Sequence, residues 1–216
     1  MLKLQNLTKK YADTPIFQNI SLEIPVKSIV SLTGKNGIGK TTLLNMLGGI
    51  SSYSGEVWLE DINMERNFRD YMDITTLIPN TPFLYDYLTV SEMIDLAISL
   101  SEQKKNDSIV KELMTELMLF DYQSVLIKNL SLGTKQKVAF VIAFLDSPKF
   151  ILIDEPFVNF DRLSFSNLLK FIYNYVMNTD SIIIFSTHSV DSQLHELVTH
   201  NIDIFDSKTI NLSRKN

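Results

Sequence analysis

The chain has no cysteine, which excludes a disulfide framework and any thiolate metal site. Glycine and proline are scarce too, 7 and 6 in 216 residues, so a collagen-like, linker-rich or disordered chain is excluded. Apolar runs such as Phe150-Ile151-Leu152-Ile153 and Ile182-Ile183-Ile184-Phe185 are short. A membrane-crossing helix needs about 20 residues, and these read instead as buried strands. A basic surplus is also missing. Lys and Arg number 20 against 25 Asp and Glu, a net charge of −5, so no nucleic acid partner is expected. The opening Met1-Leu2-Lys3-Leu4-Gln5-Asn6 lacks the apolar stretch of a secretory signal. Any membrane part of the machinery would come from another chain.

What is present suffices for one well-buried core with room for an inserted subdomain: 45% of residues are hydrophobic and 21% charged. The first third predicts strands over 3–7, 17–24, 28–33 and 55–60, with Asp13, Pro15 and Pro25 as turn residues between them. A helix is expected over 41–47, ended by Gly48-Gly49. The middle reads as helical over 90–100 and 107–119, where Val110, Leu113, Met114, Leu117 and Met118 recur at helical spacing. Further on, a helix over 135–145, a strand over 150–153, a helix over 165–177 and a strand over 182–185 alternate. That alternation implies a parallel sheet in an α/β fold. Residues 202–212 read as a hairpin turning at Asp206-Ser207-Lys208. His195 and His200 read as surface residues.

The chemistry starts at Gly34-Lys35-Asn36-Gly37-Ile38-Gly39-Lys40-Thr41, a G-x-x-x-x-G-K-[ST] loop between an expected strand and an expected helix. Glycines let backbone N–H groups turn inward on a β-phosphate, and the helix adds its positive end. Lys40 would reach the β- and γ-phosphates, the Thr41 hydroxyl would bind Mg²⁺, and Thr42 can donate to the α-phosphate. By itself this loop also suits kinases, GTPases and other motors.

A second acidic feature narrows the choice. The run Phe150-Ile151-Leu152-Ile153 leads into Asp154-Glu155-Pro156, at the carboxyl end of a strand, where ligands of open α/β sheets sit. Asp154 is placed to hold Mg²⁺ and Glu155 to act as general base on an attacking water. Pro156, which cannot donate to a ladder, helps end the strand.

Upstream lies Asn129-Leu130-Ser131-Leu132-Gly133-Thr134-Lys135-Gln136-Lys137. Here the sequence resembles the ATP-binding subunits of ABC transporters, whose signature reads LSGGQ, and the resemblance covers essentially the whole chain. It implies a phosphate-loop NTPase of ABC type. Its mixed sheet core would comprise residues 1–80 and 146–216, with antiparallel strands at the N-terminus. A helical subdomain carrying the signature would be inserted at about 81–145. It also implies roles: Tyr11 stacking on adenine, Asp161 in the dimer-contact loop, and His188 as the switch histidine at the γ-phosphate. Ser131 and Gly133 would open the helix that continues through Lys135 and Val138, and bind the γ-phosphate of ATP held by a partner subunit. Leu132 and Thr134 depart from the signature. Asn80 stands where the family has a metal-ligating glutamine, and is one methylene shorter.

The resemblance further implies ATP and Mg²⁺ at the site. It also implies a second ATPase subunit (identical or different) and a separate transmembrane permease that holds the chain on the cytoplasmic face of the membrane. Phe83, Leu84, Tyr85, Tyr87, Leu88 and Met93 form the expected docking region. The length and signature variant look like bacterial exporter subunits, several of which handle peptides, lantibiotics or drugs. Two alternatives remain open. A soluble ABC ATPase on ribosomes or DNA fits a single motif set and an acidic balance poorly. A phosphate-loop kinase leaves Ser131-Leu132-Gly133 and His188 unexplained.

Overall fold

The structure is a computed structural model describing residues 1–101, 107–155, 160–187 and 192–215. Its first part contains β1 (Leu2–Tyr11), β2 (Thr14–Ile24), β3 (Ser28–Gly34), α1 (Lys40–Leu47), β4 (Ser54–Leu59), β5 (Ile62–Asn63), α2 (Phe68–Asp73) and β6 (Thr75–Ile78). Then come the helices α3 (Val90–Leu100), α4 (Asp107–Glu116) and α5 (Leu132–Ala143). The chain closes with β7 (Phe150–Asp154), α6 (Arg162–Thr179), β8 (Ile182–Ser186), α7 (Ser192–Leu197), β9 (His200–Ile204) and β10 (Ile210–Arg214).

These strands form two sheets, a four-stranded antiparallel one in the order β2-β1-β4-β5 and a six-stranded one in the order β10-β9-β3-β8-β7-β6. In the larger sheet β9, β3, β8, β7 and β6 run parallel, and β10 returns antiparallel to β9. This is the expected α/β architecture with a mixed sheet. Every residue of β7 and β8 is buried, because helices or the second sheet cover both faces of a parallel strand. Period-two alternation divides their side chains between two cores. Ile151, Ile153, Ile183 and Phe185 face the core shared with α3 to α6, while Phe150, Leu152, Ile182 and Ile184 face that of α1 and the antiparallel sheet.

Helices α3, α4 and α5 meet through Val90, Met93, Leu113, Leu117, Val138 and Val141, continuous with the core beneath the sheet. Helix α3 starts at a reciprocal cap: Thr89 Oγ1 accepts from Glu92 N, and Glu92 accepts from Thr89 N at 2.8 Å. Such a cap satisfies two N–H groups that a helix start otherwise leaves open.

Two expectations, for Pro15 and for the start of α5, need correcting. Pro15 lies inside β2, opposite Lys10, not in the turn; an edge strand tolerates a residue without an N–H, and β2 is an edge. Residues 120–122 and 127–129 form single 3-10 turns. Helix α5 begins at Leu132 rather than Lys135 because Ser131 caps it, accepting from Thr134 N at 3.1 Å. The hairpin at 202–212 holds, with Asp206 Oδ1 accepting from Lys208 N and Thr209 N at 2.8 Å each. His195 is exposed as expected, whereas His200 is half-buried on β9. Burial, with the Arg214 charge beside it, lowers the His200 pKa.

Candidate nucleotide site

Parallel pairing brings the carboxyl ends of β3, β7 and β8 to one edge of the sheet, in the register Leu32 beside Ser186 beside Asp154. From that edge the chain leaves β3 through the glycine loop. Gly34 has φ 147°, and a Cβ there would sit 2.8 Å from the Ile204 carbonyl oxygen. Gly39 has φ 117°, and its Cβ would meet Ile16 and Phe17 at under 3.0 Å. Neither position admits a side chain, so glycine is required on both counts. The Lys40 ammonium sits in the curl, donating to Gly34 O at 2.9 Å and Lys35 O at 3.3 Å. Burial lowers its pKa, and the carboxylates of Glu155 and Asp154 push the other way.

Thr41 Oγ1 donates to Asp154 Oδ2 at 2.9 Å, joining the first turn of α1 to the end of β7. Ser186 Oγ, fully buried at the end of β8, donates to Asp154 Oδ1 at 2.6 Å and accepts from Glu155 N at 2.9 Å. Glu155 itself is in the left-handed region with φ 49°, which costs a non-glycine residue about 1–2 kcal/mol. The Ser186 hydrogen bond to its N–H helps to hold that turn. Ser186 was not foreseen as a site residue, although its place at the polar end of the apolar run Ile182-Ile183-Ile184-Phe185 was a usable signal. Ser186→Ala is expected to cost about 1.5–3 kcal/mol in urea unfolding and to slow ATP turnover. Unchanged stability and turnover would show that the hydroxyl does not orient the acid pair.

Tyr11, Asn36, Gly37, Gly39, Lys40, Thr41, Thr42 and Glu155 line one open cleft of about 360 Å³. The structure thus unites most of the expected nucleotide residues, with the Tyr11 ring 51% exposed at the rim. The Ser51 and Thr42 hydroxyls near the phenol, and the Lys9 charge, lower its pKa. Lys35 contributes its carbonyl, as above, and Ile38 packs into the core against the antiparallel sheet. Asn80, just after β6, is exposed, and its backbone carbonyl accepts from Gln136 Nε2 of α5 at 3.1 Å. Pro156 and His188 lie outside the described residues.

Ser131, Gly133 and Asp161 are not in the lining of this cleft. Ser131 stands exposed at the start of α5 beside the 42% exposed Leu132, while Gly133 is buried. A group approaching that helix end meets Ser131 and Leu132 first. Asp161 caps α6, accepting from Ser164 N at 2.9 Å, and also pairs with Lys137 Nζ of α5 at 2.6 Å. Burial raises the Asp161 pKa, but the Lys137 and Ser164 hydrogen bonds outweigh it and hold the carboxyl well below its ordinary 3.8. The cap therefore stays charged through the neutral range, and is lost only as pH falls through that lowered value.

The oxygen donors suit a magnesium ion. Mg²⁺ takes one or two protein oxygens and completes its shell with phosphate and water; Thr41 and Asp154 offer a hydroxyl and a carboxylate side by side. Among the described residues no group of three or more His, Cys, Asp or Glu could form a cage of protein ligands alone.

Comparison with known proteins agrees with this geometry. Residues 17–158 match a family model described as ABC transporter. The chain is 32% identical over 195 residues to the ABC-type transporter ATP-binding protein EcsA of Bacillus subtilis, covering 87% of this chain and 77% of that one. It is 33% identical over 221 residues to HrtA of Staphylococcus haemolyticus, an ATP-binding protein named for hemin import, covering 96% and 98%. A lantibiotic transport ATP-binding protein of Streptococcus pyogenes, SrtF, is 29% identical over 196 residues, covering 90% and 83%. Among solved structures, an ATP-binding subunit of an ABC transporter superposes with a TM-score of 0.88 at 24% identity, covering 99% of this chain and 90% of that one. The dimeric ATP-binding cassette MJ0796, bound to ADP and Pi in a post-hydrolysis state, gives 0.84 at 22% identity, covering 99% and 98%.

Proposed function

Since the chain belongs to the ABC transporter family of ATP-binding proteins and is an ATPase, we propose that it is a motor subunit. It works in pairs around ATP to drive a separate membrane-spanning chain. One observation carries the pairing. The chain has two anion-seeking helix starts, α1 in the nucleotide cleft and α5 with Ser131 exposed outside it. The second is left for a triphosphate held by another subunit.

In the mechanism, the glycine loop and Lys40 bind the β- and γ-phosphates, and Thr42 the α-phosphate. Tyr11 supports the base. Thr41 and Asp154 would hold Mg²⁺, and Asn80 would reach it by movement of the loop after β6. When bound, the ion supplies positive charge to the phosphate oxygens. Glu155 accepts a proton from the water that attacks the γ-phosphorus, and the bond from that phosphorus to the β–γ bridging oxygen breaks, its electron pair leaving on ADP. Ser186 keeps Asp154 and Glu155 aimed apart, one at the metal position and one at the water. His188 would sense the γ-phosphate. Pair formation around ATP, with Asp161 near the contact, and its release after hydrolysis then convert binding energy into motion of the partner.

The docking region divides in two. Phe83, Tyr85 and Tyr87 are 84%, 53% and 79% exposed, whereas Leu84 and Leu88 pack against the core and Met93 is buried. Phe83 lines a cleft of about 320 Å³ with Pro82, Leu84, Met93 and Ala139, and its ring meets that of Tyr85 edge to face. An apolar groove with an exposed aromatic at its wall suits an amphipathic segment of a membrane partner. No helix among the described residues is long and apolar enough to cross a membrane, so peripheral attachment to the inner face comes through that partner. We read the direction as export, on the chain length and the signature variant. We read the cargo as peptide, lantibiotic or drug, in line with SrtF, which is named for lantibiotic transport; the name of HrtA points to import.

Purification of the tagged chain from its native membranes in mild detergent tests this reading. We expect a stoichiometric multi-span membrane protein by mass spectrometry, whose sequence then bears on direction. Ribosomal proteins, DNA or no companion would replace the motor with a soluble ABC ATPase.

A further inference from the structure

The base-binding end of the cleft holds a charge that no motif marks. Lys9 and Tyr11 are two residues apart on β1, so both side chains leave the same face of the strand. Lys9 is only 8% exposed. Its ammonium donates to Ser52 O at 2.6 Å and lies 4.8 Å from the centre of the Tyr11 ring. A buried ammonium is costly without compensation, and these two contacts, one carbonyl and one aromatic face, supply it. Ser52 belongs to the segment that follows α1, so the same lysine also ties that segment to the rim of the cleft.

We propose that Lys9 is a positioning residue for the nucleobase. Its ammonium occupies one face of the Tyr11 ring, fixing the ring so that the opposite face is the platform for the adenine. Swinging Tyr11 away would cost the ammonium its aromatic partner, so the ring, although 51% exposed, is held ready before nucleotide arrives. That pre-organisation lowers the ordering cost of binding. The platform reads a π-face and not a hydrogen-bonding edge, so Lys9 acts on any nucleotide that stacks and on none that lacks a base. This rests on the reading of Tyr11 as the base-binding aromatic.

Calorimetric titration of the full chain in Mg²⁺ buffer tests it, with ATP and inorganic triphosphate as probes. Lys9→Met keeps the apolar stem and removes the charge. It should weaken ATP binding by about 3- to 30-fold, the range of a desolvated cation–π contact, and leave triphosphate binding unchanged. Lys9→Arg, which keeps a cation over the ring, should restore ATP binding. In a Tyr11→Ala background Lys9→Met should have no further effect. Equal weakening of both probes would overturn the proposal, since Lys9 would then act through the phosphate loop. So would unchanged ATP affinity in Lys9→Met, or full additivity with Tyr11→Ala. If Tyr11→Ala itself leaves ATP affinity unchanged, the base-platform reading fails and takes the proposal with it. If Tyr11→Ala weakens ATP binding while Lys9→Met does not, only the role of Lys9 is lost.

Discussion

Glu155→Gln should retain ATP binding and slow hydrolysis by roughly 10²–10⁴, the usual worth of a general base. The substitution keeps size and shape, and replaces a charged group that can take a proton with a neutral amide that cannot. The backbone of residue 155 has an anchor that the substitution leaves untouched. The Glu155 N–H donates to the buried Ser186 hydroxyl at 2.9 Å, which helps to hold the turn at φ 49°. Asp154, with its own contacts to Thr41 and Ser186, is left in place. Single-turnover hydrolysis with calorimetric measurement of ATP affinity separates the two steps. Turnover near that of the unmodified chain would remove Glu155 from the role of base. Loss of ATP binding would instead mean that the side chain holds the loop together.

Lys40→Met should weaken ATP binding by roughly 10² or more, as expected when one partner of a buried charge pair is removed. The free protein should lose little stability by comparison. Burial lowers the Lys40 pKa below its ordinary 10.5, so the folded state carries the charge at a cost. The sign follows. Between the lowered value and 10.5 the unfolded chain binds more protons, and stability rises with pH across that window. Below it the cost is present in full, and on the proposed function bound phosphates would relieve it. The variant should therefore unfold at a similar temperature without ATP and lose the stabilisation that ATP confers. ATP affinity equal to that of the parent chain would count against the phosphate cradle.

The sequence showed the nucleotide loop and the acid pair because their chemistry is local. Gly34 to Thr41 is a continuous segment whose glycines and lysine bear their roles in adjacent positions. Asp154-Glu155 follows a run of four apolar residues that only a buried strand explains. Helix and strand types were legible for the same reason, since period two and period 3.6 are properties of a short window. Boundaries were less so. The pattern put the start of α5 at 135, whereas the cap at Ser131, named from the signature as the helix opening, sets it at Leu132, and Pro15 fits in β2 because β2 is an edge of its sheet.

What the sequence determined by itself was the class of chemistry, a glycine-rich phosphate loop followed by an acid pair at a strand end, with a signature that resembles that of ABC ATPases. Only the tertiary structure decided how those residues support one another. Residues 41 and 154 come together because β3 and β7 flank β8 in a parallel sheet. Ser186 lies between Asp154 and Glu155 because β8 is registered against β7. Lys137 reaches Asp161 because α5 packs over the start of α6, and the aromatics at 83, 85 and 87 face outward while Leu84 and Leu88 turn in. Each of these depends on strand order, register or packing between segments distant in the chain. Such relations are set by burial of the whole core, and no local window of residues encodes them.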